Sequence, residues 1–337
     1  MYGASHTAAD FLTDRLRDRL QKRFGDAGHG FVMPVRPWSR YRHIDTRTHN
    51  SSGWICDRAH RVDDEVGLYG LAGFACETTA KAQWARVEPS RWSPEGTRAD
   101  RVEVFFLRQR GGGRFELLVD GRVQARISTR SRRRHVGMRR VRVPDEPHTV
   151  EIRTLGGGPV RLLGMVLERD RPGVVVDTLG INGQRAAIQL RWQERAWRRQ
   201  VRWRSPSLIV LAYGTNELAG RVPIREVRAR LKRVVQRIRR AAPSASCLLI
   251  GPSDRPQRVG GTWVVRERQP AVIEAQRAVA HESGCGYWDL AAAMGGEGSM
   301  VRWVEAGLAR RDHVHLTRDG YRVLADRLLA ALLDELP

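Results

Sequence analysis

The chain of 337 residues is poor in lysine, in cysteine and in long hydrophobic stretches. No run of about 18 apolar residues occurs, which excludes a transmembrane helix. Only three of the 59 Lys+Arg residues are lysines, so the net charge of +22 comes almost entirely from arginine. The arginines are spread along the whole chain without the interleaved aromatics of a base-stacking surface, so no nucleic-acid partner is expected. An acidic polymer such as a cell-wall glycan would suit the same charge.

The four cysteines, Cys56, Cys76, Cys247 and Cys285, have no CxxC spacing and no histidine in ligand register. This pattern argues against a structural zinc site, and no metal ion or cofactor is expected. The positions allow two disulfides, each within one region of the chain. Four free thiols in a reducing compartment fit the sequence equally well, so both alternatives stay open.

The first 25 residues place a glycine and a serine in front of a helical pattern. Apolar residues recur at nearly helical spacing from Phe11, and Gly25 provides a C-terminal stop, which predicts a helix over 7–24. Ser5 would stand where a strand, a turn and a helix expose a nucleophile to backbone N–H groups. Capping of the helix is the simpler interpretation of Ser5 taken alone. Because only two residues precede Gly3, the strand that should enter this turn is expected to be missing or truncated.

Residues 31–168 consist of short alternating or aromatic-rich segments separated by Gly, Pro, Asp and Ser. The Asp120-Gly121 pair between two such segments is typical of a hairpin. Regular short strands without a helical period predict an all-β insert of the jelly-roll kind. Its aromatic residues could stack on sugars, although core packing is the commoner role of such side chains. The candidates are Trp38, Tyr41, Trp54, Trp84 and Trp92.

Continuous apolar strands alternate with amphipathic helices in residues 169–337, which predicts a parallel sheet covered on both faces, an α/β fold. Residues 1–30 and 169–337 would then form one discontinuous domain around the insert. Helices are predicted over the ranges 184–204, 224–241, 271–283 and 318–336. The first of them is rich in arginine and would pack its three tryptophans on the sheet.

Polar residues follow the ends of the predicted strands, where function lies in open parallel sheets. Their types are those that acyl transfer requires, with Ser5 as nucleophile, His315 as base and Asp312 orienting the imidazole. The backbone N–H groups of Ser5 and Gly183 and the side-chain amide of Asn216 would donate to the oxyanion. Each residue could instead be a turn former or a solvated loop residue. If there were no catalytic site, all of those simpler interpretations would have to hold at once, at four separate places in the chain.

These residues make the sequence resemble the SGNH/GDSL hydrolases. The resemblance rests on four short blocks that span the chain: Gly3-Ala4-Ser5-His6, Gly180-Ile181-Asn182-Gly183, Gly214-Thr215-Asn216-Glu217 and Asp312-His313-Val314-His315. It implies the three-layer, flavodoxin-like sheet of that family and a metal-free serine esterase with the residue roles given above. The inserted sandwich further resembles that of bacterial peptidoglycan O-acetylesterases of the Ape type, which looks like a family 35 carbohydrate-binding module.

This second resemblance implies removal of O-acetyl groups from a carbohydrate, with peptidoglycan as the expected substrate and the periplasm or cell surface as the expected location. An O-acetyltransferase on the same fold and a non-catalytic glycan-binding protein are the alternatives, and the oligomeric state stays open. Ala4 departs from the family pattern, in which an aspartate stands at this position. Because alanine has no side-chain hydrogen bond to steady the turn, a less stable site with the triad still present is expected. Neither His313 as base nor His6 as metal ligand is expected.

Overall fold

The computed structural model describes residues 1–61, 65–90 and 95–334. The strands of the described chain, in order, are β1 (Tyr2–Gly3), β2 (Gly30–Val32), β3 (Thr46–Asn50), β4 (Ile55–Arg58), β5 (Phe74–Thr78), β6 (Trp84–Pro89), β7 (Arg98–Arg108), β8 (Arg114–Val119), β9 (Arg122–Ser128), β10 (His135–Pro147), β11 (Val150–Gly156), β12 (Val160–Glu168), β13 (Leu179–Gly180), β14 (Leu208–Ala212), β15 (Ser246–Ile250), β16 (Gln257–Val259), β17 (Thr262–Val264) and β18 (Gly286–Trp288). The helices are α1 (Ser5–Ala8), α2 (Phe11–Phe24), α3 (Glu194–Arg204), α4 (Thr215–Leu218), α5 (Ile224–Ala241), α6 (Gln269–Glu282), α7 (Leu290–Met294), α8 (Ser299–Glu305) and α9 (Arg318–Asp334), with a 3₁₀ helix at Ala186–Arg191.

A parallel sheet lies at the centre of the molecule, with the strand order β13-β1-β14-β15-β18. Successive residues of β15 point to opposite faces, so Leu249 packs with α3, α5 and α6 whereas Leu248 and Ile250 pack with α2 and α9. Burial on both faces is the reason why these strands are apolar without interruption. The predicted α/β fold, a parallel sheet between two helical layers, is confirmed.

The first strand is short but present. Tyr2–Gly3 lies between β13 and β14, with Tyr2 opposite Leu211. Gly3 allows the tight turn that follows, because a Cβ at this position would lie 2.0 Å from Oγ1 of Thr7 and 2.9 Å from the carbonyl oxygen of Ala212. The strand that was expected to be missing is therefore present, and its two residues lie inside the sheet just before the turn that leads to Ser5.

Two of the predicted helices are interrupted. The helix expected over 7–24 is divided into α1 and α2 at Asp10, whose φ of 59° is left-handed. The Asp10 carboxylate accepts hydrogen bonds from Oγ1 of Thr13 at 2.7 Å and from the backbone N–H of Ile44 at 2.7 Å, which offsets the cost of this conformation. The helix expected over 184–204 is a 3₁₀ helix followed by α3, because the side chain of Gln193 caps the N-terminus of α3. Periodicity alone shows neither break.

The remaining helices agree more closely with the sequence pattern. α5 has the predicted bounds and α6 begins two residues earlier, at Gln269. α9 is described to Asp334, and the predicted end at Leu336 lies outside the described residues. Trp192 and Trp197 are buried as expected, although Trp192 lies between the 3₁₀ helix and α3.

Two antiparallel sheets form between α2 and β13. Their orders are β10-β7-β12-β5-β4, with β2 also paired to β12, and β3-β6-β11-β8-β9. Apolar side chains from both sheets share one core, in which the rings of Phe106 and Phe115 lie 5.4 Å apart. The predicted hairpin joins β8 to β9, with positive φ at Asp120 and Gly121. We propose that residues 31–168 are the inserted sandwich and that 1–30 with 169–337 form the second domain.

The proposed sugar-stacking aromatics pack mainly inside this region. Tyr41 and Trp54 are buried, and Trp38 makes an edge contact with Phe74 at 5.0 Å between ring centroids. Trp84 is partly buried, and Trp92 lies outside the described residues. Core packing is thus the role that the structure supports for Tyr41 and Trp54.

All four cysteines are paired. Cys56 and Cys76 lie opposite each other on β4 and β5 and form one disulfide. Cys247, near the start of β15, is joined to Cys285, which directly precedes β18. Of the two alternatives that the sequence leaves open, the structure has the two disulfides.

A buried network of charges connects α2 to the chain before β3. Arg17 is 1% exposed and lies 3.3 Å from Oδ1 of Asp10 and 3.4 Å from Oδ2 of Asp45. Nδ1 of His29 lies 2.8 Å from Oδ2 of Asp45, and the His29 and His43 rings make an edge contact. Burial lowers the pKa of His43 from 6.5 to about 4. Both histidines therefore belong to a network that fixes α2 against the insert.

The neutral state of His43 predicts a loss of stability in weak acid. The unfolded chain binds a proton at this residue below pH 6.5, whereas the folded chain does so only near pH 4, so stability is lost as the pH falls between these values. Lowering the pH from 7 to 5 should reduce the free energy of unfolding by about 2 kcal/mol through His43 alone. Urea unfolding at both pH values measures the change. A His43→Gln variant should lack this part of the pH dependence, and an unchanged dependence would contradict the assignment.

Candidate active site

Ser5, His315 and Asp312 form a continuous chain of hydrogen bonds at the carboxyl end of the central sheet. Ser5 is the first residue of α1, separated from β1 by Ala4 alone, and His315 lies in the loop before α9. Nε2 of His315 is 2.9 Å from Oγ of Ser5, and Nδ1 is 2.8 Å from Oδ2 of Asp312. Ser5 and His315 are more than 300 positions apart in sequence, and the fold brings them into contact.

The environment of Asp312 defines which imidazole nitrogen carries the proton. Its Oδ1 accepts hydrogen bonds from the backbone N–H groups of Val314 at 3.0 Å and His315 at 2.9 Å. Burial by itself would raise the pKa of Asp312, but these hydrogen bonds and the imidazole lower it below its usual value. An ionised Asp312 accepts the Nδ1 proton, which leaves the unprotonated Nε2 facing the hydroxyl of Ser5. This is the arrangement that a general base requires.

The three predicted oxyanion donors follow the neighbouring parallel strands β1, β13 and β14, at the same end of the sheet. In the described part of the chain, the N–H groups of Ser5 and Gly183 donate to no protein acceptor. Gly183 has a φ of 74°, and a Cβ there would meet no atom within 4 Å, so this residue borders open space. One N–H of the Asn216 amide donates to the carbonyl oxygen of Gln184 at 2.9 Å, and the second is left for a ligand. Gly180, by contrast, lies under α1, where a Cβ would be 2.2 Å from the backbone nitrogen of Ala8.

Glu217 connects two of these segments, a role that the sequence motif alone did not indicate. The buried Glu217 carboxylate accepts the N–H of Gly214 at 3.0 Å and the N–H of Ala186 at 3.0 Å. Burial raises its pKa, although these hydrogen bonds act in the opposite direction. Arg185 adds a contact of 3.2 Å from its Nε to the carbonyl oxygen of Asn216. Glu217 is therefore a positioning residue for Gly183 and Asn216. Its position directly after Asn216 is the one feature of the sequence that could have indicated this role.

The two remaining histidines near Ser5 have other contacts. Nδ1 of His6 is 2.9 Å from the hydroxyl of Tyr321, and burial lowers the pKa of His6 to about 3, so its ring is neutral beside His315. His313 has a left-handed φ of 52°, and its Nδ1 lies 2.9 Å from the carbonyl oxygen of Arg311. His315, and not His313, is the imidazole that contacts Ser5 in this structure.

Ala4 lies buried before α1 and provides no side-chain cap. Its carbonyl oxygen accepts the N–H of Ala8 at 2.9 Å, which begins the helix without help from a side chain. The hydrogen bonds between Ser5, His315 and Asp312 form nevertheless. The expected loss of stability caused by Ala4 stays a prediction.

One group of residues in the described chain has the geometry of a metal site. The ligand atoms of His29, His43 and Asp45 lie within 4.8 Å of one another, and all three side chains are buried. The Arg17 guanidinium already supplies a positive charge 3.4 Å from the Asp45 carboxylate, which disfavours a second cation there. The group lies in the network behind α2, and the proposed nucleophile is not part of it.

Comparison with known proteins gives a family and a close structural match. The family model described as "GDSL-like Lipase/Acylhydrolase family" matches residues 147–323, which include Gly183, Asn216, Asp312 and His315. A solved structure of a peptidoglycan O-acetylesterase is 26% identical, covers 99% of this chain and 89% of its own, and has a TM-score of 0.81. An acetyl xylan esterase, AlAXEase, is 18% identical over 45% of this chain and 78% of its own, with a TM-score of 0.36. No curated protein sequence matches the chain.

Proposed function

The chain belongs to the GDSL-like lipase/acylhydrolase family and is a hydrolase of ester bonds, and from this premise we propose that it removes O-acetyl groups from peptidoglycan. The observation that carries the proposal is the hydrogen-bonded chain from Ser5 through His315 to Asp312 beside three oxyanion donors. Every group that acetyl transfer through a serine requires is then supplied by side chains and backbone of this protein.

The proposed reaction begins with attack by Ser5. Nε2 of His315 takes the hydroxyl proton while Oγ forms a bond to the acetyl carbonyl carbon, and the negative charge of Asp312 stabilises the imidazolium. The N–H groups of Ser5 and Gly183 and the amide of Asn216 stabilise the tetrahedral oxyanion. Collapse of this intermediate breaks the bond to the sugar oxygen, which takes the proton from His315. The products of this half-reaction are a free sugar hydroxyl and acetylated Ser5.

Water completes the cycle by the same route in reverse. His315 removes a proton from a water molecule as its oxygen attacks the acetyl group on Ser5. The oxyanion donors again hold the developing charge. Return of the proton to Oγ releases acetic acid, which ionises at neutral pH, and restores the free serine.

The extent of the structural match supports a peptidoglycan substrate. The similarity to the peptidoglycan O-acetylesterase covers 99% of the chain and therefore includes the antiparallel sheets as well as the central one. The net charge of +22 suits a polymer that carries carboxylates. We propose that the insert helps to bind this polymer; its resemblance to a family 35 carbohydrate-binding module stays a prediction.

The proposed location is outside the cytoplasm. Two disulfides suit an oxidising compartment, and a peptidoglycan substrate is found there. Among the described residues, no helix has the length and apolar character needed to cross a bilayer.

The substrate assignment predicts a preference that can be measured directly. Acetate release from O-acetylated peptidoglycan should show a kcat/KM at least about tenfold above that from acetylated xylan, because binding of the correct polymer contributes to the transition state. Equal or greater activity on xylan would contradict the peptidoglycan assignment. The same assay with added free saccharide distinguishes hydrolysis from transfer, since a transferase would place the acetyl group on the acceptor.

A further inference from the structure

A small exposed hairpin stands beside the proposed active site and takes no part in the reaction described above. β16 and β17 pair only with each other in the described chain. Because they follow β15, they lie after the carboxyl end of a parallel strand, as Ser5 does. In the hairpin register Trp263 lies opposite Arg258, and Val259 lies on the other face. Trp263 keeps 36% of its surface exposed. An exposed tryptophan next to a reactive centre is a candidate for ligand contact.

Trp263 is held in place by the loop of Asp312. Its ring is stacked on the His313 imidazole, with 3.8 Å between centroids and 25° between planes. His313 is itself 9% exposed and contacts the carbonyl oxygen of Arg311. This contact holds the two rings together. Part of the indole stays exposed to solvent, and its partner His313 directly follows Asp312 in the chain.

Two arginines that have no carboxylate partner among the described residues flank the hairpin, and Arg255 contacts Thr215, the residue before Asn216. Nη1 of Arg255 donates to the carbonyl oxygen of Thr215 at 2.6 Å, and Nη1 of Arg266 donates to Oε1 of Gln257 at 3.2 Å. Within the described chain, neither arginine has an ion pair, and the Nε atom of each is buried without a hydrogen-bond acceptor. Burial lowers the pKa of Arg255, Arg266 lowers it further, and Asp312 acts in the opposite direction.

We propose that Trp263, Arg255 and Arg266 form a binding subsite for a carboxylate-bearing portion of an acetylated glycan, next to the sugar whose ester reaches Ser5. The C–H face of a sugar ring packs on an indole, and a guanidinium binds a carboxylate with two parallel hydrogen bonds. A neutral polysaccharide would leave both arginines without a counter-ion. The inference deepens the proposed function and rests on it, because it names the chemical class of ligand that the same site selects.

The first test separates the subsite from the reacting groups. Trp263→Ala in the full chain should raise KM for O-acetylated muropeptides about tenfold or more and leave kcat/KM for p-nitrophenyl acetate within about twofold, because the small ester does not reach the hairpin. Trp263→Tyr should restore most of the loss. Val259→Ala, on the opposite face of the same hairpin, is the matched control and should behave as wild type. An equal loss on both substrates, or no loss on either, would overturn the proposal.

The second test concerns the carboxylate. Conversion of the muropeptide carboxylates to amides should raise KM for the wild type about tenfold. Arg266→Gln should have a raised KM on the native fragments and a smaller response to amidation than the wild type, because only Arg255 remains to bind the carboxylate. A wild-type enzyme that treats both substrates alike would overturn the role of the arginines.

Direct binding distinguishes failure of the subsite from failure of the proposed function. Calorimetric titration of Ser5→Ala with muropeptides measures affinity without turnover, and adding Trp263→Ala should weaken it about tenfold. If binding depends on Trp263 but the wild type releases no acetate, the subsite is supported and the esterase activity on this glycan is rejected. Acetate release with the same KM and affinity in both Trp263 forms would reject the subsite and leave the esterase standing.

Discussion

Replacement of Ser5 by alanine should lower kcat for acetyl ester hydrolysis by a factor of about 10⁴ to 10⁶. The variant loses the hydroxyl oxygen that lies 2.9 Å from Nε2 of His315, so the covalent route through an acetylated serine is closed. A residual rate over the uncatalysed reaction should persist, because Gly183 and Asn216 still stabilise an oxyanion formed by direct attack of water. Acetate release from p-nitrophenyl acetate and from O-acetylated peptidoglycan at pH 7 measures the effect.

A serine far from the site provides the control for this result. Ser283 follows α6 near the opposite edge of the sheet, before β18, so Ser283→Ala should retain the wild-type rate. Circular dichroism and thermal unfolding should show that both variants are folded. A folded Ser5→Ala protein with the wild-type rate would mean that Ser5 is not the nucleophile.

Replacement of Asn216 by alanine should lower kcat by about 10² to 10³ and change KM little. In the proposed mechanism the free N–H of its amide donates to a charge that develops only in the transition state, so its loss should affect the barrier rather than the binding of substrate. In this structure the other N–H donates to the carbonyl oxygen of Gln184. The substitution therefore also removes a contact to Gln184, the residue that directly follows the second block.

A pair of variants separates charge stabilisation from this structural contact. Asn216→Asp keeps the size of the side chain but places a carboxylate where the oxyanion forms, so its kcat should fall at least as far as that of the alanine variant. Glu217→Gln, which perturbs the position of the same segment without removing a donor, should reduce kcat much less. A loss below about tenfold in both Asn216 variants would exclude this amide from the oxyanion site.

The sequence pointed to Ser5, His315 and Asp312, which the structure joins by hydrogen bonds, but it did not show the break in the helix that follows Ser5. Ser5, Gly183, Asn216, Asp312 and His315 were identified because residue types for acyl transfer stand at strand ends, and strand ends of a parallel sheet converge. The break at Asp10 was missed, because apolar spacing continues on both sides of it. The contact that stabilises this break comes from Ile44, which lies 34 positions away and carries no local signal.

Short-range pattern was sufficient for the α/β fold, for the positions of most strands and helices, and for the family. These features follow from the alternation of apolar strands with amphipathic helices and from blocks of four residues, all of which are local properties of the chain. Only the tertiary structure decided three other features. These are the pairing of the cysteines in disulfides, the hydrogen bond from Ala186 to Glu217, and the stacking of Trp263 on His313. Each of these contacts joins residues separated by 20 or more positions, and their meeting is determined by the packing of the whole chain rather than by the sequence around either partner.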